Sequence, residues 1–320
     1  MARLRRSWYE RHPQARRSLD RPVISVGNLS VGGSGKTPIV ATLARLLVGM
    51  GERPAILSRG YARRRPADGV VVVSDGQRVL EPVERSGDEP QMLARALPGV
   101  PVLVCPDRYL AGRLAERQLG CTVILLDDGF QHLALGREVD VLVTPVSDLD
   151  DAVLPTGRLR EPLAAASSAD CLLVPGSKDD VARVAATFDR MAVFSVSSHY
   201  EGLAPLLPPL PAGNRVVAVA GIARPERFFT ALGDQGYEVI RALSFPDHHW
   251  YTAADLQRIG AIVRDTSADL VATTEKDAVR MQPQPGPPSP GFGVASWAVL
   301  RMTAVIEPAD RFATWLRDRL

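Results

Sequence analysis

A glycine-rich turn followed by lysine and threonine is the part of this sequence best suited to chemistry. It lies in the segment VGNLSVGGSGKT, residues 26–37. Glycines let successive backbone N–H groups converge on one anion. Lys36 would reach the β- and γ-phosphates of a nucleotide, and the Thr37 hydroxyl would ligate Mg²⁺. The predicted phosphate-binding residues are Ser30, Val31, Gly32, Gly33, Ser34, Gly35, Lys36 and Thr37.

This loop departs at one position from the strict pattern G-x-x-x-x-G-K-[ST]. Ser30 stands where the pattern has glycine, and Gly27 lies too early to replace it. The surroundings still favour a phosphate site. An apolar, β-branched stretch at 23–26 predicts a buried strand before the loop, and apolar residues at helical spacing in 39–50 predict a helix after it.

Two classes of nucleotide-binding protein are disfavoured by residues that this chain lacks. Guanine-specific proteins carry an N/T-K-x-D element, whereas Lys276 and Asp277 are adjacent here. Partitioning-type ATPases carry a further lysine before the two loop glycines, where this chain has Val31. Both differences favour an ATP-using transferase. Lys276 and Asp277 themselves are either an exposed helix start or part of a site.

The segment VILLDD, residues 123–128, is a second nucleotide signal, in which four apolar residues end in two acids. An aspartate at the end of such a strand is a common partner of Mg²⁺ in P-loop proteins. Because adjacent strand residues point in different directions, we assign the metal to Asp128 and a supporting or polarising role to Asp127. Gln131 and His132 follow closely and could reach phosphate oxygens or the metal shell.

Phosphoryl transfer also needs a base near the acceptor group. Asp88 stands at a predicted helix start, and His248 and His249 are adjacent in the segment FPDHHWY. A carboxylate beside an imidazole orients the ring and raises its proton affinity, which suits a general base near neutral pH. Alternatively, Asp88 is the N-cap of its helix and the two histidines lie in a surface turn.

Arginines in two turns are candidates for holding phosphate. The turn LPTGRLREP carries Arg158, Arg160 and Glu161, and Arg108 follows the apolar stretch PVLVC. Guanidinium groups there could clamp the charge on a transferred phosphoryl group, or a phosphate of the substrate. The alternative is that these residues are solvated loop charges.

A sheet has to position these residues, and the chain alternates predicted strands with predicted helices. Such alternation predicts an α/β fold of the P-loop NTPase type, a mostly parallel sheet with flanking helices and sites at the carboxyl ends of its strands. We expect stretches 191–197 and 296–302 to pair as a connector to a second, smaller α/β domain. The predicted ranges are a basic N-terminal arm at 1–21, a P-loop kinase domain at 22–200, a linker at 201–214, the smaller domain at 215–295, and a return strand with a C-terminal helix at 296–320.

Composition and charge argue against several other classes of protein. A net charge of +2 over 320 residues does not suggest nucleic-acid binding. The longest apolar run, at 216–223, is far shorter than the roughly 18–20 residues that span a bilayer, and no signal peptide is expected. The widely spaced cysteines predict buried free thiols and no zinc site; they are Cys105, Cys121 and Cys171.

The first 21 residues are basic, with seven arginines against Glu10 and Asp20. Leu4, Trp8 and Tyr9 are nearly the only large apolar residues among them. Such an arm could lie on an anionic membrane surface, at about 1 kcal/mol per cationic residue near that surface. The alternative is a solvated, partly frayed terminus.

Eight motifs occur in an order that is found in a known family. They are GNLSVGGSGKTP, LSRGYARR, GDEPQMLA, VCPDRY, LLDDGFQH, LPTGRLREP, FPDHHWY and TTEKDAV. Over roughly residues 22–281 the chain resembles the tetraacyldisaccharide 4′-kinases, or lipid A 4′-kinases. Relatives in that family also begin the phosphate loop with serine in place of glycine.

The resemblance implies transfer of the γ-phosphate of ATP to the 4′-hydroxyl of a tetraacyl disaccharide 1-phosphate, with Mg²⁺, at the cytoplasmic face of the inner membrane. It implies a peripheral protein whose short arginine-rich arm attaches more weakly, and more electrostatically, than the longer apolar segment of many relatives. No nucleic acid and no required protein partner are expected.

The resemblance also implies roles for the site residues. Asp88 and His248 would form the base dyad, and Lys36 and Arg160 would handle phosphate during catalysis. Asp127 and Asp128 would serve Mg²⁺ and catalysis. The remaining implied site residues are Arg108 and Glu161 toward the substrate, and Gln131 and His132 toward the nucleotide.

Two other functions account for parts of the sequence. A nucleotide switch that controls a partner protein would explain the phosphate loop and the aspartate pair, but not the Asp88–His248 pair or the arginine turn. A kinase of the same fold that acts on a soluble metabolite would differ in having no dependence on a lipid surface.

Overall fold

The computed structural model describes residues 2–32, 35–61, 63–189, 191–206, 212–281 and 295–320. The strands in these ranges are β1 (Val23–Asn28), β2 (Pro54–Ser58), β3 (Val71–Ser74), β4 (Val102–Val104), β5 (Val123–Asp127), β6 (Val139–Val143), β7 (Cys171–Pro175), β8 (Ala192–Pro205), β9 (Arg215–Ala220), β10 (Glu238–Ser244), β11 (Leu270–Thr274) and β12 (Trp297–Glu307). The α-helices are α1 (Ala2–Arg11), α2 (Lys36–Gly49), α3 (Val83–Ser86), α4 (Asp88–Ala96), α5 (Arg108–Gln118), α6 (Lys178–Thr187), α7 (Pro225–Asp234), α8 (Ala253–Thr266), α9 (Glu275–Met281) and α10 (Ala309–Arg317).

All of the strands in the described ranges form one sheet, in the order β10-β9-β11-β12-β8-β7-β6-β1-β5-β2-β4-β3. β1 lies between β5 and β6 and is parallel to both. Among the described strands, two neighbouring pairs are antiparallel: β3 with β4, and β8 with β12. The predicted mostly parallel α/β sheet is confirmed, and the carboxyl ends of β1 and β5 lie side by side.

Helices cover both faces of the larger half of this sheet, which consists of β1 to β8. Every residue of β1 and β5 is buried, as expected for parallel strands enclosed on both sides. On one face, Leu43 and Leu47 of α2 pack in the core, and on the other, Ala111 and Ala115 of α5 do so. The predicted free, buried cysteines are confirmed; they are Cys105, Cys121 and Cys171.

The antiparallel pair β8–β12 joins the larger half to the smaller half, which consists of β9 to β12. Its register runs from Ser195 opposite Glu307 to Pro205 opposite Ala298. The two strands pair, but the predicted stretches 191–197 and 296–302 do not face each other, because residues 195–197 lie opposite 305–307 and residues 298–302 lie opposite 200–205. The predicted linker at 201–214 is wrong for its first part, because β8 continues to Pro205. Proline-rich composition suggested a break, but Pro205 occupies the last strand position, opposite Ala298 of β12. Residues 207–211 of that linker lie outside the described ranges.

The smaller half has cores of its own on both faces of β9 and β11. Phe228 and Leu232 of α7 pack on one face, and Leu256 and Ile259 of α8 pack on the other. The predicted smaller α/β unit is therefore present, but as one end of a continuous sheet instead of as a separate sheet. The exact limits of the two domains remain predictions.

The chain returns to the larger half at its C-terminal end. Phe312 and Leu316 of α10 are buried in the same core as α2. The ring of Phe312 meets that of Phe194 in β8 edge-on, with centroids 5.1 Å apart. The last helix thus completes the core of the larger half.

The basic N-terminal arm begins as α1, which is anchored by one buried residue. Arg6 is 8% exposed, its Nε donates to Glu161 at 2.6 Å, and its guanidinium lies 4.4 Å from the ring centroid of Phe130. Leu4 and Trp8 are 74% and 44% exposed. The frayed-terminus alternative therefore does not describe the part of the arm that forms α1. No helix of the described residues is long and apolar enough to span a bilayer.

We expect Gly27→Ala to lower the free energy of unfolding by about 1–3 kcal/mol, because β1 passes Phe130 without room for a side chain. A Cβ on Gly27 would lie 2.4 Å from the Phe130 Cβ and 2.9 Å from its backbone nitrogen. Urea unfolding measures the change. Gly49→Ala, with no atom within 4 Å of the added carbon, is the control and should shift stability by about 1 kcal/mol or less. Equal unfolding midpoints for Gly27→Ala and the wild type would contradict the close approach.

Candidate active site

The phosphate loop leaves β1 at Asn28 and enters α2 at Lys36. Gly35 precedes the helix with φ = 73°, a left-handed backbone that favours glycine. Lys36 Nζ donates to Asn28 Oδ1 at 2.8 Å, and Asn28 Nδ2 donates to the carbonyl of Ser30 at 2.6 Å. Asn28 therefore links the lysine to the start of the loop.

Backbone hydrogen bonds tie the arginine turn to this loop. The Val31 N–H donates to the Arg158 carbonyl at 2.8 Å, and the Arg160 N–H donates to the Leu29 carbonyl at 2.7 Å. This pairing positions Arg160 beside the loop, and it also engages the Val31 amide that the sequence predicts to bind phosphate. That amide could reach phosphate only if its bond to Arg158 opened. Two further predicted loop contacts lie outside the described residues: Gly33 and Ser34.

Asp128, directly after β5, contacts both of these cations. Its Oδ1 lies 3.3 Å from Lys36 Nζ, and its Oδ2 accepts from Arg160 Nη1 at 3.0 Å. Burial by itself raises the pKa of Asp128, but the charges of Lys36 and Arg160 outweigh burial and hold the pKa below its ordinary value. The backbone has φ = 55°, which is uncommon outside glycine and concentrates at functional sites. Asp128 is therefore an ionised carboxylate held in a strained turn.

Asp127, the preceding residue, is in a different electrostatic state. It is buried, and its Oδ2 accepts from Ser58 Oγ at 3.4 Å. Burial raises the pKa of Asp127 to about 7, and the charges of Glu89 and Asp128 act in the same direction. The two adjacent aspartates therefore differ in charge near neutral pH.

Gln131 and His132 lie in the turn after these acids. Gln131 Nε2 donates to the Asn28 carbonyl at 3.0 Å, and its Oε1 accepts from Arg160 at 3.4 Å, so it connects the turn with the loop. His132 Nε2 is buried and has no hydrogen-bond partner in the part of the chain that the structure describes. Burial lowers the pKa of His132 to about 4, and the charge of Arg108 adds to this. The ring is therefore neutral at physiological pH.

The two residues predicted to contact the substrate, Arg108 and Glu161, are both buried. Arg108 Nη1 donates to the Pro106 carbonyl at 3.1 Å, and its charge acts on Asp127, so it lies beside the site. Glu161 accepts from Arg6 through both carboxylate oxygens, at 2.6 and 3.1 Å. A contact between Glu161 and substrate would require this ion pair to open. In this structure Glu161 anchors α1.

Asp88 and His248, which are 160 residues apart in the chain, meet side by side. His248 Nδ1 lies 2.9 Å from Asp88 Oδ2. Asp88 is the first residue of α4 and Gly87 is the N-cap, so the N-cap alternative for Asp88 is wrong. His249 lies apart, with Nε2 3.2 Å from Asp255 Oδ2. Of the two adjacent histidines, it is His248 that meets Asp88.

A charge interaction links the region of this pair to Asp127, the last residue of β5. Glu89 follows Asp88 at the start of α4, and its charge raises the pKa of Asp127. His248, like Asp128, has a left-handed backbone, with φ = 61°. Glu89 thus brings the start of α4 into electrostatic range of Asp127, whose neighbour Asp128 contacts Lys36, an arrangement that can hold a triphosphate near a base.

The oxygen ligands at this site suit Mg²⁺. Thr37 is the second residue of α2, and the Asp128 carboxylate lies 3.3 Å from Lys36, the first residue of that helix. The described residues contain no cluster of three or more acidic, histidine or cysteine side chains able to hold a metal. One or two protein oxygens, completed by phosphate and water, is the usual way in which Mg²⁺ is held with a nucleotide. The residues fit that ion.

The structure adds residues that the sequence reasoning missed. Asn28 contacts Lys36, and Ser58 contacts Asp127. Both are polar residues that end apolar strands, and this pattern could have identified them from the sequence. Arg280 was not singled out either. Its Nε lies 3.3 Å from the carboxylate of Asp88, and no local pattern in the sequence indicates that contact.

Comparisons with known proteins agree on one family. A family model described as tetraacyldisaccharide-1-P 4′-kinase matches residues 1–320. A tetraacyldisaccharide 4′-kinase from Geobacter metallireducens is 42% identical over 296 residues, which covers 90% of this chain and 85% of the relative. One from Syntrophus aciditrophicus is 39% identical over 303 residues, covering 88% and 80%.

A solved structure is also similar over nearly the whole chain. It is a crystal structure of LpxK from Aquifex aeolicus in complex with ATP, described as an "apo" form. The TM-score is 0.81 at 32% sequence identity, and the match covers 99% of this chain and 94% of that one.

We expect Asp127→Asn to stabilise the Mg²⁺-free protein at pH 8. A carboxyl whose pKa is raised from about 3.9 to about 7 costs stability above its unfolded value, and the full cost is present above pH 7. Removing the ionisable group should therefore raise the free energy of unfolding on the order of 1–4 kcal/mol at pH 8. The gain should shrink as the pH falls from 7 to 4. Thermal unfolding at pH 8 and pH 5 measures it, and a variant less stable than the wild type at pH 8 would refute this electrostatic account.

Proposed function

Because the chain belongs to the tetraacyldisaccharide 4′-kinase family, we propose that the site around Lys36, Asp128 and the Asp88–His248 pair carries out this family's phosphoryl transfer. The motif-based prediction of the family is confirmed. The chain is an ATP-dependent kinase of lipid A biosynthesis that phosphorylates the 4′-hydroxyl of a tetraacyl disaccharide 1-phosphate. The observation that carries the proposed site is the 2.9 Å contact between Asp88 and His248.

Lys36 and Arg160 supply the positive charge that the phosphates of ATP need. In this structure both cations contact Asp128. A triphosphate offers several charged oxygens, so it can draw the ammonium and guanidinium groups away from one carboxylate. Lys36 then contacts the β- and γ-phosphates, and Arg160 stabilises charge on the phosphoryl group during transfer.

Asp128, once released from these cations, would hold Mg²⁺ together with the hydroxyl of Thr37. The ion would supply positive charge that offsets the charge of the phosphates during transfer. Asp127 supports this carboxylate from the buried side, where its higher pKa limits the negative charge next to Asp128. Gln131 keeps the turn after β5 attached to the phosphate loop through Asn28.

His248 accepts the proton of the sugar hydroxyl. With Nδ1–H donated to Asp88, Nε2 is the ring nitrogen with a free lone pair. Lys276 Nζ lies 3.4 Å from Nε2, so the incoming hydroxyl takes the place of that contact. Deprotonation of the 4′-hydroxyl as it attacks the γ-phosphorus of ATP forms the new P–O bond and releases ADP.

The test is transfer of label from γ-labelled ATP to the tetraacyl disaccharide 1-phosphate. Lys36→Ala should abolish turnover, and His248→Asn should lower kcat on the order of 10²–10⁴-fold with little change in ATP affinity, because it removes only the base. His249→Asn is the matched control, since His249 contacts Asp255 instead of Asp88.

Near-normal turnover by Lys36→Ala would overturn the assignment of the loop. Equal activity of His248→Asn and His249→Asn would overturn the assignment of the base. Phosphate release that occurs only on a protein partner, with no label in lipid, would favour a nucleotide switch.

We also propose that α1 lies on the cytoplasmic face of the inner membrane, where the acyl chains of the substrate reside. Leu4 and Trp8 are four residues apart, so they share one helix face, and both are exposed while Arg6 turns inward. A helix with exposed apolar residues among arginines is typical of interfacial attachment. The buried Arg6–Glu161 pair then fixes the face that meets the lipid.

Leu4→Ser combined with Trp8→Ser should reduce binding to vesicles that contain anionic lipid, because it removes apolar area and leaves the charge of the arm unchanged. Each side chain contributes about 1–3 kcal/mol when fully buried, so a loss of at least about 10-fold in the partition coefficient is expected. Sedimentation with vesicles measures this partition. Val305→Ser, which changes an exposed apolar residue of β12, is the control. Equal partition of all these proteins would refute the attachment through α1.

A further inference from the structure

A buried arginine lies behind the Asp88–His248 pair. The side chain of Arg280, in α9, is 0% exposed, and its Nε lies 3.3 Å from Asp88 Oδ2. The same carboxylate oxygen meets Nδ1 of His248. We propose that Arg280 is a positioning residue for phosphoryl transfer, which holds the Asp88 carboxylate and the backbone of His248 in one geometry. This inference rests on the proposed roles of Asp88 and His248.

The guanidinium also binds backbone on both sides of His248. Arg280 Nη1 donates to the carbonyls of Gly221 and His249, at 3.1 and 3.2 Å. The Gly221 carbonyl in turn accepts from the His248 N–H at 3.2 Å. His248 has a left-handed backbone, and such a conformation persists when the surrounding structure holds it. One side chain therefore supports both the carboxylate that orients the ring and the backbone that carries it.

Asp277 holds the other end of this guanidinium. It is fully buried, and its Oδ1 lies 3.4 Å from Arg280 Nη2. Its oxygens also accept from the Gly221 N–H and the Tyr251 hydroxyl. A buried cation requires paired charge, and Asp88 and Asp277 are the carboxylates that contact Arg280 in the described part of the chain. Asp277 fixes the arginine within the smaller half, and Asp88 joins it from the larger half.

The contact between α4 and α9 is where the alignment of Asp88 with His248 can be lost. Asp88 begins α4 in the larger half, whereas Arg280 lies in α9, which directly follows β11 of the smaller half. Misplacement of a catalytic group by about 1 Å can cost about 10²-fold in rate. Removing the guanidinium takes away a charged contact that holds Asp88 across this junction, so the cost is expected in kcat and not in ATP binding.

The experiment measures kcat and KM for lipid phosphorylation in Arg280→Gln and Arg280→Lys, each alone and combined with Asp88→Asn. Arg280→Gln should lower kcat about 10²-fold, with KM for ATP changed by less than about threefold. Arg280→Lys should lower kcat about 10-fold, because it keeps the charge but loses the fork that reaches several acceptors. In the Asp88→Asn background either change should cost clearly less than it does alone, and Arg280→Gln about 10-fold or less, because the part of the effect that passes through Asp88 is already absent and only the support of the His248 backbone remains.

Arg215→Gln is the matched control. Its guanidinium also donates to carbonyls at a helix end in the smaller half, those of Ser267 and Thr266, and kcat should be unchanged. An unchanged kcat in both Arg280 variants would overturn the inference. Losses that multiply fully with Asp88→Asn would also overturn it, because they would indicate a general structural role.

The same set of variants covers three further cases. If Arg280→Gln does not fold, Arg280→Lys with and without Asp88→Asn decides by the same criterion. Wild-type kcat in both Asp88→Asn and His248→Asn would overturn the proposed base and this inference with it. A large loss in those two variants together with a normal kcat in both Arg280 variants would overturn the inference alone.

Discussion

The contact between Asp88 and His248 is the interaction on which the rest of the site depends, and neither half of the sheet can make it alone. The larger half supplies the carboxylate at the start of α4, and the smaller half supplies the ring. The antiparallel pair β8–β12 unites the two halves in one hydrogen-bonded sheet. The continuous sheet therefore constrains the relative orientation of the two side chains, as the proposed proton transfer to His248 requires.

Charge balance is the second constraint on this site. Lys36 and Arg160 both contact Asp128 in the structure, so the two cations proposed to bind ATP lie at the site before ATP arrives. Their pairing with Asp128 reduces the cost of removing these charges from water. Asp127, buried one residue away, has a pKa near 7. This keeps two adjacent carboxylates from being fully ionised together near neutral pH. Asp127 ends β5 and Asp128 follows it with a left-handed backbone, so the two side chains face different surroundings.

Those parts of the site that depend on local chemistry could be predicted from the sequence. Lys36, Thr37 and Asp128 are found by strand, turn and helix signals within a short window, and the α/β alternation predicts that their elements share one edge of a parallel sheet. That two strands flanking the smaller half pair with each other was also predictable, but their register was not, because residues 195–197 lie opposite 305–307 instead of within 296–302.

Contacts that depend on tertiary placement could not be predicted in this way. Nothing near His248 and His249 distinguishes them until Asp255 is seen to engage His249. Glu161 stands beside Arg160 in sequence, yet it faces Arg6 and not the phosphate loop. Arg280 directly follows the motif TTEKDAV, but nothing in that motif indicates a contact with Asp88. The contact exists because α4 and α9 meet. Composition was misleading at Pro205, because proline content does not reveal whether a strand has already finished its pairing.

The position of α10 has a consequence for the order in which the chain acquires its structure. Phe312 and Leu316 belong to the same apolar core as β1 and α2, near the opposite end of the chain. During synthesis, those two side chains can reach that core only after the whole stretch between α2 and α10 has been made. The core of the larger half therefore stays incompletely covered until α10 has been synthesised, although β1 and α2 are made early.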